Sequence, residues 1–182
     1  MGLFRRIFGS GAPEGFTGSL DADENVLASA AVGSSWLVAT SHGLWLPDPG
    51  QPDPAQPDPV QPGPRRVGWH LISKATWRGN ALVVVEAVED GTAGGAVVLR
   101  DLPPQRFPLE SPGKVPEVVH ERVTGSIKSR EHNGTVGAWF VQRKVAGRDG
   151  VVLQVRPDPG VDVERVREVA ASVAAKIAEL RG

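Results

Sequence analysis

Apolar side chains along most of this chain recur at every second position, the period of half-buried strands, and change to spacings of three and four only near its end. Residues 25–32 predict a strand, Ser34-Ser35 a turn, and residues 36–40 a second strand with β-branched and aromatic content. Ser41-His42-Gly43 then reads as a hairpin turn into Leu44-Trp45-Leu46. Further on, residues 66–69 and 73–77 are strand pieces, and Arg78-Gly79-Asn80 turns the chain into residues 81–88, apolar enough for a well-buried strand that Glu89-Asp90-Gly91 ends. Residues 96–99 make another strand. Residues 101–116 hold five prolines and predict an irregular wrap over the sheet.

Residues 123–130 alternate, with Val123 and Ile127 on one face and Thr124, Ser126, Lys128 and Arg130 on the other, as a half-covered strand does. Asn133-Gly134 is a strong hairpin signal, and the strands on either side of Gly147-Arg148-Asp149-Gly150 complete a meander. In the last element, Val163, Val166, Ala170, Val173, Ile177 and Leu180 form one apolar stripe of a helix that Asp162 caps, and all six are expected to be buried. The expected fold is therefore mainly β with a C-terminal α-helix (α+β): an antiparallel barrel or two packed sheets capped by one amphipathic helix.

Two segments fall outside this pattern. Residues 1–19 mix a short basic-apolar start with Gly, Ser and Pro and predict a flexible tail, leaving residues 20–182 as a single β-rich domain. Residues 47–64 repeat proline so densely that neither helix nor inner strand is possible; polyproline II suits them, as a spacer inserted in a hairpin. Their PxxP spacing carries aspartates where recognition segments of this kind carry basic residues.

Composition removes several functions. The absence of cysteine rules out disulfides, thiolate nucleophiles and Cys-ligated metals, and together with the lack of a long apolar run predicts a cytoplasmic protein. Twenty basic residues against twenty-one acidic ones give no global field to gather nucleic acid, so no nucleic-acid partner is expected. The abundance of Ala, Gly, Val, Pro and Arg resembles the codon bias of a GC-rich bacterial genome.

The stretch ENVLASAAVGSSWLVATSHGLWLP, followed by RRVGWHLISKATWRGNALVVVEAV and a C-terminal helix, resembles bacterial members of the pleckstrin-homology-like superfamily, and strings such as HERVTGSI and PDPGVD resemble an uncharacterised actinobacterial group. The resemblance covers residues 24–101 in pattern and the last helix in topology. It implies a PH-like module. Inositol phosphate binding, the superfamily's best-known activity, uses basic residues in the first hairpin; the corresponding loop here, Val32-Gly33-Ser34-Ser35-Trp36, has none.

No catalytic, cofactor or metal set is visible. His42, His70, His120 and His132 lie in separate predicted turns or edges without HxH, HxxxH or HExxH spacing. Glu86 interrupts an apolar strand and is expected to point outward from the pleat. No G-x-S-x-G or phosphate loop occurs, and Gly91, Gly94 and Gly95 read as a turn. Trp36, Trp45, Trp69, Trp77 and Trp139 fall in strands without interleaved basic residues, which reads as packing rather than base stacking. What is left is surface. Leu3, Phe4, Ile7 and Phe8 on one side and Arg5 and Arg6 on the other could make a small membrane or partner contact. The expected function is a non-catalytic module that binds protein or peptide through a sheet edge or helix–sheet groove, without cofactors. The alternatives are a peripheral membrane module anchored by residues 2–8 and a small enzyme whose site is dispersed along the sequence.

Overall fold

The computed structural model describes residues 11–47 and 63–182. The expected contact residues Leu3, Phe4, Arg5, Arg6, Ile7 and Phe8, and all but the ends of the proline-rich insertion, lie outside these residues. The fold is mainly β with a C-terminal helix, as the alternation predicts, and is consistent with a PH-like α+β class.

Strands β1 (Val26–Val32), β2 (Ser35–Thr40), β3 (Gly43–Leu46) and β4 (Arg65–Gly68) form an antiparallel four-stranded sheet in sequence order. A single 3-10 turn, Trp69–Leu71, carries the chain into the second sheet. There β5 (Ile72–Arg78), β6 (Ala81–Ala93), β7 (Ala96–Asp101), β11 (Val151–Pro157), β10 (Ala138–Lys144) and β9 (Ile127–Asn133) lie side by side, and the short β8 (Gln105–Pro108) pairs with the start of β6. The sheet is not purely antiparallel. Strand β11 runs parallel to β7, because the chain re-enters after the connection through α1 and β9–β10.

Among the described residues two helices cover these sheets, one more than expected. Helix α1 (Val115–Gly125) takes up part of the predicted wrap and the start of the predicted strand over 123–130, so Val123 is helical and β9 begins only at Ile127. Val115, Val119 and Val123, spaced by four, bury one face of α1, with Pro116 in its first turn where a missing N–H costs nothing. The valines pack with Leu37, Leu44, Leu46, Ile72, Leu82 and neighbouring residues into the first core. Helix α2 (Val163–Arg181), capped by the Asp162 carboxylate accepting from the Glu164 and Arg165 amides, covers a second core of Ala93, Ala96, Val98, Ala138, Val155 and others. Only Val166 and Ala170 of its stripe are fully buried. Val163 is 36% exposed and Leu180 88% exposed, contrary to the six buried side chains expected, because the stripe outruns the sheet beneath it.

Strand β6 joins the two cores. It continues through Glu89 and Gly91 by way of an irregularity between Glu89 and Thr92, rather than ending there, and turns at Gly94-Gly95. Gly94 has φ of +56°, and a Cβ there would lie 2.8 Å from the Cα of Ala171, so the turn can touch α2 only as glycine. At the other end of the chain, the predicted tail is in part packed: Phe16 meets Trp45 edge-on at 5.5 Å, and the Trp36 indole donates to the Glu14 carbonyl at 3.0 Å.

Candidate functional site

Polar side chains are concentrated where the second sheet meets the 3-10 turn. The turn leaves backbone carbonyls facing inward, and buried carbonyls need donors. Arg143 on β10 supplies Nη1 to the carbonyls of Trp69 (2.8 Å) and Ile72 (3.1 Å), while Gln154 on β11 donates Nε2 to that of His70 at 2.9 Å. Arg143 is only 4% exposed and has no carboxylate partner among the described residues. Arg130 and Arg156 line the same small cavity, together with His70 and Ser73. Burial, and then repulsion from Arg156 and Arg130, pushes the Arg143 pKa down to about 10, which leaves it charged at neutral pH.

His70 forms the wall between this cavity and an open cleft lined by Asp21, His42, Arg66 and Gly68. A Cβ on Gly68 would lie 2.6 Å from the His70 imidazole, so the glycine makes room for the ring. Burial pushes the His70 pKa below its ordinary value; Arg143 and Arg148 act the same way, and Glu89 opposes them.

The cleft floor is an ion-pair network. Glu24 is buried, and its carboxylate accepts from the Thr40 hydroxyl, the Trp45 indole at 2.9 Å, the Asp21 amide at 3.1 Å and the Arg66 guanidinium. Burial alone would raise its pKa, but these four donors outweigh that and hold it below the usual carboxylate range. Arg66 also reaches Asp21 at 2.7 Å and lies over the Trp45 ring. Ligand atoms of Asp21, Glu24 and His42 lie within 4.8 Å of one another, a spacing that a metal could use. Arg66 already places a cation on both carboxylates, so the cluster is satisfied as an internal ion pair.

A different surface opens beside α2. Val151, Leu153, Ala174, Ile177 and Ala178, with Gly94, Gln142 and Arg181, line a groove of about 270 Å³ between the helix and the β10–β11 hairpin, and the exposed Leu180 stands one turn beyond Ile177. A larger concavity near the end of α1 carries both signs of charge, Arg122, Lys144 and Arg148 with Glu121 and Asp149, and selects for neither.

These placements revise several sequence expectations. His42 and His70 are not separate, since they line one cleft with Asp21; His42 lies 3.5 Å from both Asp21 and Asp23. His120 is exposed on α1, and His132 bonds to Asp158 at 2.7 Å while its ring packs at a tilt of 51° against Trp139. Glu86 does not point outward. It is buried and held by both Nη atoms of Arg65, at 2.8 and 2.6 Å, in a two-point ion pair. The tryptophans do have basic neighbours across strands, Arg130 at 4.0 Å over Trp139 and Arg66 over Trp45, and Trp77 is 38% exposed rather than packed. No helix among the described residues is long and apolar enough to cross a membrane. No protein-family model, curated protein or solved structure matches the chain.

Proposed function

We propose that this protein is a non-catalytic cytoplasmic interaction module that binds an apolar peptide segment of a protein partner in the groove between α2 and the β10–β11 hairpin. The observation that carries the reading is Leu180, a large apolar side chain 88% exposed at the end of a stripe whose middle, Val166 and Ala170, is buried, and one helical turn beyond Ile177 in a groove also walled by Val151 and Leu153. An isolated exposed leucine is ordinary; one that continues an open apolar groove marks a place to bury a partner's side chains. The groove has room for two or three such side chains, and Gln142 and Arg181 at its border can hold the backbone or an acidic flank of a bound peptide.

Selection of a random peptide library against the folded chain tests this. Enriched peptides should share apolar anchors, and Leu180→Lys should weaken them by about tenfold or more, the worth of one buried leucine, while leaving the melting temperature unchanged. Failure to enrich any peptide, or affinity indifferent to Leu180→Lys and Ala178→Arg, overturns the groove as the site.

An enzymatic second reading has one specific observation behind it, the cleft shared by His42, His70 and Asp21. Its neutral His70 can accept a proton, but Arg66 and the network around it already engage Asp21. Turnover of simple esters or phosphoesters that disappears in His70→Gln would favour that reading over the binding module.

A further inference from the structure

Buried charges in folded proteins are paired, and Arg143 is the exception among the described residues: 4% exposed, donating only to two neutral carbonyls, with two further arginines lining the cavity beside it. None of the residues that line this cavity is acidic. The nearest acid that contacts the cluster is Asp101, which lies at its rim, accepts from Ser73 and stands 3.8 Å from Arg156, so it meets one arginine and leaves the other two. Arg130 is held in place by the Trp139 ring, and Gln154 is committed to the His70 carbonyl. Asp101 thus meets Arg156 alone, and Arg130 and Arg143 border the same small space with no carboxylate partner among the described residues. The space holds little more than one water-sized sphere, about 20 Å³, which excludes a phosphate but admits a single negatively charged atom.

We infer that the cavity bounded by Arg130, Arg143 and Arg156 is a binding site for a small monoanion, either a halide ion or one carboxylate oxygen. The anion takes charge-assisted hydrogen bonds from guanidinium N–H groups not used on the 3-10 turn and replaces the missing counter-ion. The site is separate from the α2 groove, because Arg143 and Gln154 project from the opposite face of the sheet to Gln142 and Leu153.

The test is a titration of the full chain at constant ionic strength, exchanging methanesulfonate, whose tetrahedral head is too large for the cavity and which carries no carboxylate, for chloride in one arm and for formate in the other, with melting temperature as the readout. Stabilisation that saturates in either arm is expected, reaching about 5 °C at a hundredfold excess over the dissociation constant. Saturation by chloride identifies a free ion, and saturation by formate alone identifies a carboxylate. Arg156→Gln should weaken the response about tenfold without loss of folding, since Arg156 makes no contact with the 3-10 turn. Chlorine-35 NMR line broadening by the native protein, diminished in Arg156→Gln, would give the same answer without reference to stability. No saturable response to chloride or formate, or an unaltered one in both Arg156→Gln and Arg130→Gln, overturns the site.

Discussion

The first core is filled with large side chains, Leu37, Leu44, Leu46, Ile72 and Leu82 among them, closed over by the short helix α1; the second, apart from Leu153, is filled with alanine and valine beneath the longer α2. In the first, almost every large apolar group finds cover, and α1 buries a valine at each turn. In the second, small side chains let the helix approach the sheet closely at Ala170 and Gly94, but the helix then runs past its support, so Ile177 is half-covered and Leu180 is exposed. The two halves meet at the arginine-bearing seam. The contrast separates a closed scaffold from a half that keeps apolar surface available, and it is the second half that carries the proposed binding groove.

Substitutions should expose the difference in opposite ways. Leu44→Ala in the first core, where the side chain is fully buried, should cost about 3 kcal/mol in denaturant unfolding, through lost transfer energy and the cavity left behind. The second core contains little to truncate and should respond more to enlargement: Ala170→Leu should cost about 2 kcal/mol, because a close-packed contact cannot admit three more carbons. If Ala170→Leu proves neutral or stabilising, the helix is not seated closely and the comparison fails. Ile177→Asp should be milder than Val166→Asp, since Ile177 keeps contact with water and Val166 does not.

Acid should act at the boundary before it acts on either core. His70 has its pKa depressed by burial, so its contribution to stability is present above the unfolded value of 6.5 and is lost as pH falls through the lower folded value. Glu24, also depressed, contributes above 4.5 and loses that contribution at lower pH still. Melting curves from pH 7.5 downward should show two steps of decline. His70→Gln should remove the upper one and Glu24→Gln the lower; a single step that neither variant changes would remove both groups from the account. The effects are the smallest predicted, because each rests on one titrating group rather than on core packing.

Much of this architecture was legible in residue order. The period of two placed most strands, and the stripe from Val163 to Leu180 announced α2. Helix α1 was hidden because its apolar face is a bare row of valines, which also suits a strand, and because prolines 103, 104, 108 and 112 precede it; the spacing of Val115, Val119 and Val123 and the position of Pro116 were the available signals. The seam could not be read at all. Arg143 meets residues more than seventy positions away, Arg65 on the first sheet pairs with Glu86 on the second, and Arg66 on β4 pairs with Glu24 just ahead of β1, contacts that exist only once the two sheets are assembled. Chemistry that depends on long-range pairing leaves no local motif.

The central claim is that binding belongs to the half with the open groove, and amide chemical-shift mapping with a selected peptide tests it most directly. Shifts confined to Gly94-Gly95, residues 151–153 and residues 174–180, with the strands of the first core silent, are the result predicted. Shifts centred instead on Asp21, His42 and His70, or spread over the four-stranded sheet, would contradict it.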